Sequence, residues 1–342
     1  MKRTLQLAAG IAVSAVCVWW SMRGVSVAEV ARELRGASLP GFLAVMAVTL
    51  LGFLIRSVRW RYFVNVGRPL ALRSLFSATM IGFMANNLLP FRLGEFVRPW
   101  VLARREGLSK TTLLATVVVE RAVDMLTLLG ILAIATLVHP VAGDTDAGRL
   151  LQAGAQVLIV LCVLLTVFVI AIERSRGFAQ AVVRTLTSPL PPAARTRVAE
   201  MLDQFIEGLG LFRDFSRLAV VFVLSFAMFL CFALALALSL WSLGIALPWY
   251  AGLVLLVVTA IGIMVPAAPG YIGTLNIACT AGLALFGVGK ALSVPFSWFY
   301  FFSQWIPITA VGLVLLNFEG LSLRSIGQAE TAEGPARTGE GA

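Results

Sequence analysis

The apolar segment from Thr111 to Val138 contains three charged side chains, and this combination restricts the fold more than any other sequence feature. The segment is long enough to cross a bilayer as a helix, because about 20 residues suffice. Glu120, Arg121 and Asp124 lie inside it. Each such charge costs roughly 2.5–3.5 kcal/mol at the centre of a bilayer. We therefore expect the three charges to face protein, one another or a polar cavity rather than lipid.

The composition indicates an integral membrane protein. The chain is 59% hydrophobic and 13% charged, whereas soluble domains are about half apolar and a quarter charged. The net charge of +10 does not indicate nucleic-acid binding, because the positive residues lie in short loops between apolar segments.

The sequence offers little for catalysis. The four cysteines lie within apolar segments without metal-ligand spacing, and His139 is the only histidine. No nucleophile with a neighbouring base and no phosphate-binding loop is visible. We therefore expect no metal, no cofactor and no enzymatic activity, while an intramembrane transferase stays as a third class without positive support.

Six apolar segments have the length of full spans. They are Leu5–Met22, Leu39–Ile55, Thr111–Val138, Leu150–Ile172, Leu218–Leu243 and Ala291–Leu316. Arg56, Arg59 and Arg61 follow the second span, and we expect them to reach the cytoplasmic interface.

Two further apolar segments are short and end in breaks. Ser74–Pro90 precedes a tip at Asn86–Gly94, and Tyr250–Val265 precedes a break from Pro266 to Gly273. Because basic residues flank Ser74–Pro90 on both sides, a re-entrant hairpin keeps both groups cytoplasmic, whereas a single crossing does not. Irregular backbone at the tip requires contact with protein or water.

These features predict an all-α polytopic membrane protein with six full spans and two re-entrant helical hairpins. Residues 1–324 form one membrane domain, with an amphipathic cytoplasmic segment at 174–217 and a disordered tail at 325–342. Most lysines and arginines fall on one side, which predicts cytoplasmic N- and C-termini in the plasma (inner) membrane.

The two halves, 1–140 and 150–318, read as an inverted repeat. Ile81–Met84 aligns with Ile261–Met264, and Asp124 falls on Gln304. Gly94 aligns with Gly273 when Pro90 is placed over Pro269. Inverted repeats with broken short helices point to a transport site between the halves, although chance alignment of glycine- and proline-containing segments is the alternative.

The polar residues near the two breaks are candidates for binding an anionic headgroup, since arginine donates paired hydrogen bonds to phosphate. The predicted substrate-binding residues are Asn86, Asn87, Arg92, Arg98, Arg121, Tyr271 and Asn276. The predicted structural or coupling residues are Pro90, Gly94, Glu95, Glu120, Asp124, Pro266, Pro269, Gly270, Gly273 and Gln304. Two alternatives stay open: the charged pairs only lock the hairpin in place, and Asn276 caps a helix.

The motifs NNLLPFRLGEFVRP, VVVERAVDML and PAAPGYIGT resemble the flippase-like transmembrane region of lysylphosphatidylglycerol synthases, the multiple peptide resistance factor family. The resemblance covers the chain to about Leu316 and implies re-entrant hairpins and movement of lipids between leaflets. The matched positions are Asn87, Pro90, Arg92, Gly94, Glu95, Arg98, Glu120, Arg121, Asp124, Pro269, Gly270 and Gly273.

Two departures from that family affect the expected function. The soluble aminoacyl-transferase domain is not in this sequence, so the resemblance does not imply lipid synthesis. The family's arginine before the last Trp-Pro region is also missing, since the stretch before Trp305 contains none. The resemblance therefore does not imply that this chain has the same substrate as relatives that act on charged lipids.

The leading hypothesis is a flippase for a polar-headgroup lipid, whether an anionic phospholipid, a glycolipid or a polyprenyl-linked lipid. The headgroup would pass between the hairpins while the tails stay in the bilayer. The alternative is a non-catalytic membrane scaffold or accessory subunit whose partner is an enzyme that modifies lipids or glycans.

Overall fold

A computed structural model describes residues 18–64, 68–89, 92–138, 215–264 and 269–323, with residues 16, 156, 159, 160, 163 and 164 as isolated positions. These residues form helices joined by short connections, and no strand occurs among them. The helices are α1 (Val27–Gly36), α2 (Leu39–Phe63), α3 (Leu72–Leu88), α4 (Gly94–Glu106), α5 (Lys110–Val138), α6 (Phe215–Ser242), α7 (Ala251–Met264), α8 (Thr274–Ala284) and α9 (Lys290–Phe318), with a 3-10 turn at Pro269–Tyr271.

Serine residues start the first two helices. The Ser26 side chain accepts a hydrogen bond from the Glu29 backbone N–H, and the Ser26 N–H donates to the Glu29 carboxylate. Ser38 Oγ accepts from the Gly41 N–H at 3.2 Å, directly before α2. Such caps satisfy backbone donors that the first helical turn leaves without partners.

Three described helices are long and apolar enough to cross a membrane: α2, most of α6 (Ser216–Ser242) and α9. Helix α5 is also long, with 29 residues, but unlike these three helices it carries charged residues at its centre. Helices α2 and α6 pack side by side, α3 packs against α9, and α9 also contacts α8. Most of two predicted spans lies outside the described residues, which include only the end of Leu5–Met22 and isolated positions of Leu150–Ile172. The segment 174–217 up to its last residues and the tail also lie outside them.

Helices α3 and α4 form one helical hairpin, and α7 and α8 form a second. In the first, a Cβ added at Gly82 would lie 2.9 Å from the Gly94 carbonyl oxygen and 2.7 Å from Arg98 Cβ. In the second, Gly262 lies in the same way against Thr274 and Ala278. Small residues at these points let two helix backbones approach closely.

The two hairpins share one packing register. Gly262, Thr274 and Ala278 each lie 180 residues after their counterparts in the first hairpin. The sequence alignment paired Gly94 with Gly273, whereas the packing pairs it with Thr274, so that alignment is displaced by one residue. Which residues correspond in the two hairpins depends on the helix surface that each one faces. The sequence alignment matched glycine to glycine and did not contain this information.

We expect Gly94→Ala to destabilise the first hairpin. An added methyl group would overlap the Gly82 carbonyl oxygen and lie 2.6 Å from Asn86 Oδ1, so backbone would have to move. Overpacking of this kind costs about 1–3 kcal/mol. Thermal unfolding in detergent should show a lowered midpoint. Gly36→Ala, where no atom lies within 4 Å of the added Cβ, serves as the control and should unfold like the unmodified protein. Equal midpoints for both variants would contradict this packing.

Candidate functional site

A cluster of buried charges joins α2, α4 and α5. Glu120 is fully buried and accepts hydrogen bonds from three arginines: Arg98 at 2.7 Å, Arg59 at 2.9 Å and Arg56 at 3.1 Å. Three donors on one carboxylate compensate for its removal from water. Asp124, one turn further along α5, extends the cluster.

Arg59 joins Asp124 to this cluster and also links the cluster to α6. Arg59 donates to Asp124 Oδ1 at 2.6 Å and to Ser225 Oγ at 2.7 Å. Arg56 and Arg121 each lie within 4 Å of Asp124 Oδ2, at 3.5 and 3.6 Å. The sequence-based expectation that Glu120, Arg121 and Asp124 face protein or a cavity therefore agrees with the geometry.

The expectation for Arg56 and Arg59 was wrong. Both were expected at the cytoplasmic interface after a span ending at Ile55, but α2 continues to Phe63 and both side chains are buried. The helix continues because Glu120 and Asp124 neutralise the two arginines. A usable signal was present: two carboxylates four residues apart in α5 require cations, and Arg56 and Arg59 share one face of a helix.

Three predicted substrate-binding residues are both buried and hydrogen-bonded within the protein: Arg98, Asn86 and Asn276. Arg98 is buried against Glu120, with its guanidinium carbon 3.7 Å from the centre of the Trp60 ring. Asn86 Oδ1 accepts from the Gly94 N–H at 2.8 Å, which closes the tip of the first hairpin. These two side chains hold the first hairpin and contact α5 or α4 rather than open space.

Asn276 caps the start of α8, which is the alternative role given for it above. Its Oδ1 accepts from the Gly273 N–H at 3.1 Å, and its Nδ2 donates to Ser297 Oγ at 2.8 Å. The side chain is fully buried. Asn86 and Asn276 thus fasten the starts of α4 and α8 in similar ways, each by one amide oxygen on a backbone N–H.

The remaining predicted binding residues line a cavity of about 300 Å³ between the two hairpins. The charged side chains that line it come from α2, the first hairpin and α5: Arg56, Arg92, Glu95, Arg121 and Asp124. Its uncharged polar or permissive residues include Asn87, Thr259, Gly270 and Gln304. Its aromatic wall consists of Phe53, Phe83, Phe229, Phe232, Tyr271, Tyr300, Phe301 and Trp305. The cavity therefore combines a charged part with a large apolar part.

The tips of the two hairpins meet at this cavity. The Arg92 guanidinium carbon lies 5.2 Å from the centre of the Tyr271 ring. A Cβ at Gly270 would lie 3.4 Å from the Asn87 carbonyl oxygen and 3.3 Å from the Trp305 ring. Gly270 also has a φ of 70°. Both the limited room for a side chain and the left-handed backbone therefore favour glycine at this position.

Arg92 and Tyr271 are unusual in their backbone geometry. They have φ values of 54° and 59°, the positive-φ residues other than glycine among those described. Left-handed backbone at such residues costs of order 1 kcal/mol or more and concentrates at functional sites. Both residues lie on the cavity wall and face each other, so the strain is located where the two hairpins meet.

Two hydrogen bonds fix the cavity wall. Asn87 Nδ2 donates to Thr309 Oγ1 at 3.0 Å, and Gln304 Nε2 donates to Thr49 Oγ1 at 2.6 Å. Each bond connects α9 to another helix. Of the other predicted structural residues, Pro269 begins the 3-10 turn, while Pro90 and Pro266 lie outside the described residues.

Comparison with known proteins gives a family and a distant relative. Residues 7–312 match the model of a family described as the lysylphosphatidylglycerol synthase TM region. A membrane protein of Methanothermobacter thermautotrophicus (strain Delta H), named UPF0104 membrane protein, is 24% identical over 255 residues. That match covers 72% of this chain and 74% of the relative. No solved structure gives a significant match.

Proposed function

Because the chain belongs to the family of the lysylphosphatidylglycerol synthase TM region, we propose that it moves a polar-headgroup lipid between the leaflets of the plasma (inner) membrane. In this proposal six spans enclose two re-entrant hairpins arranged as an inverted repeat. Both termini are cytoplasmic. The lipid is the partner, and the proposal contains no covalent step.

The observation that supports this function best is the cavity between the hairpin tips. A charged headgroup crosses hydrocarbon only at a large cost, because its bonds to water are lost. Arg92 and Arg121 offer charged donors at one part of the cavity, and the aromatic wall offers an apolar surface. This pairing suits an amphipathic molecule, whose headgroup and first apolar atoms require different surroundings.

The shared packing register of the hairpins also supports the proposal. Two hairpins of like construction meet tip to tip, and the cavity lies at their junction. In transporters built from inverted repeats, rocking of one repeat against the other opens a central site to each side in turn. The Arg92–Tyr271 contact lies where such a movement would separate the two halves.

The buried cluster has a different role in this proposal. Glu120 and Asp124 hold Arg56, Arg59 and Arg98 in fixed positions, as their short contacts indicate. Because these charges already pair with one another, the proposal does not assign them to the headgroup, although Arg56 and Asp124 also line the cavity. They form the framework that carries the cavity, whereas Arg92, Arg121, Asn87 and Tyr271 contact the lipid.

The test is a leaflet-translocation assay with the purified protein in proteoliposomes. Fluorescent phospholipids in the inner leaflet should become accessible to a membrane-impermeant quencher at a rate that increases with the protein-to-lipid ratio. Protein-free vesicles provide the baseline. A rate equal to this baseline for every lipid, together with co-purification of a lipid- or glycan-modifying enzyme, would instead support the scaffold function.

A further inference from the structure

Glu95 is a charged residue on the wall of the cavity. It lies in the first turn of α4 and is half-buried. Its backbone N–H donates to the Arg92 carbonyl oxygen at 3.0 Å, but among the described residues its carboxylate makes no hydrogen bond and no ion pair within 4 Å. Glu120 and Asp124, by contrast, are each held by arginines. A carboxylate left without donors on a cavity wall is placed to accept hydrogen bonds from a ligand.

Arg92 lies three residues before Glu95 and lines the same cavity. Its contact in the described part of the chain is with the Tyr271 ring, and its Nε is buried without a hydrogen-bond partner. The Nε of Arg121, also at the cavity, lacks one as well. The side chains of Arg92 and Glu95 do not form an ion pair with each other. The cavity thus presents separate, unsatisfied donors and an unsatisfied acceptor.

We propose that the cavity binds a headgroup in which a phosphate is accompanied, within a few bonds, by an N–H or O–H donor. Arg92, with Arg121, donates to the phosphate oxygens, and Glu95 accepts from the donor group. This inference rests on the proposed function and adds the chemical class of the headgroup. Glu95 is then a specificity-determining residue, since the phosphate contacts alone do not distinguish one phospholipid from another.

The size of the cavity is consistent with a small headgroup. Ligand sites for small molecules generally range from about 300 to 1,000 Å³, so a cavity of about 300 Å³ is at the lower limit. A phosphate with a two- or three-carbon substituent fits within this volume.

Matched pairs of lipids test the proposal. Phosphatidylethanolamine and phosphatidylcholine are both zwitterionic, but the second has no N–H donor. Phosphatidylglycerol and phosphatidylethanol are both anionic, but the second has no free hydroxyl group. Binding of each lipid to the full-length protein in detergent is measured by native mass spectrometry, and transport is measured in proteoliposomes that contain each lipid as a labelled tracer.

The donor-bearing lipid should bind about tenfold more tightly in at least one pair, and Glu95→Ala should abolish that preference. Preference confined to the first pair indicates an ammonium donor, and preference confined to the second indicates a hydroxyl donor. Glu33→Ala, at an exposed position of α1, is the control and should retain the preference. Equal binding within both pairs, or a preference that survives in Glu95→Ala, would overturn the proposal. Transport without selectivity would reject this inference alone, and selective binding without transport would reject the transport function alone.

Discussion

Glu120→Gln is expected to lower the free energy of unfolding by about 3–5 kcal/mol, since removing one partner of a buried ion pair leaves the other charges uncompensated. Glu120 accepts from three arginines at 2.7–3.1 Å, and all four side chains are buried. Glutamine has nearly the same shape but carries no charge and places two donors against donors. Denaturant unfolding in mixed micelles measures the loss.

The matched control for this change is Glu33→Gln in α1. Glu33 is exposed, so its neutralisation should shift the unfolding free energy by no more than about 0.5 kcal/mol. A fall in the yield of folded protein on size-exclusion chromatography should accompany the Glu120 variant. An unfolding midpoint for Glu120→Gln equal to that of the control would show that the buried cluster does not hold α2, α4 and α5 together.

Arg92→Ala is expected to reduce lipid translocation by about tenfold to a hundredfold without unfolding the protein. A hydrogen bond to a charged group contributes about 1.5–3 kcal/mol, and each 1.4 kcal/mol is a factor of ten. Because Arg92 makes no ion pair among the described residues, its loss leaves no buried carboxylate uncompensated. The translocation rate in proteoliposomes, compared at equal amounts of reconstituted protein, measures the effect.

Two further variants separate a binding role from a general charge effect. Arg92→Lys keeps the charge but loses the planar set of donors, so its rate should lie between those of Arg92→Ala and the unmodified protein. Arg104→Ala removes an exposed arginine from α4, the helix that follows Arg92, at a position outside the cavity. It should translocate lipid at the original rate. An equal loss for Arg104→Ala would indicate that surface charge, not headgroup binding, governs transport.

The helices were predictable because their signals are local. Apolar length and the breaks near Pro90 and Pro266 indicated two short hairpins. The observed α3 and α7 begin and end within two residues of the predicted segments Ser74–Pro90 and Tyr250–Val265. The repeat alignment placed Gly94 over Gly273, one residue from Thr274, its counterpart in the packing.

The partners of the buried charges were less predictable, since they depend on helices distant in sequence. Arg59 and Asp124 are 65 residues apart, so the residues around Arg59 do not by themselves show which carboxylate it pairs with. The same limit applied to Arg98 and Asn86, which were predicted as binding residues from type and position alone. Their side chains are directed to Glu120 and to the Gly94 N–H. The sequence placed Arg92 and Tyr271 near the two breaks, but it did not predict that their side chains contact each other.

The passage of lipid through the cavity is tested most directly by filling it. Ala260 on α7 lines the cavity, and tryptophan at this position would occupy a large part of its volume of about 300 Å³. Ala310→Trp, at an exposed position of α9, adds the same side chain outside. Translocation rates of the two variants are compared in proteoliposomes after both have eluted as folded protein. We predict that Ala260→Trp reduces the rate to that of protein-free vesicles while Ala310→Trp does not change it. An unchanged rate in folded Ala260→Trp would contradict a route between the hairpins.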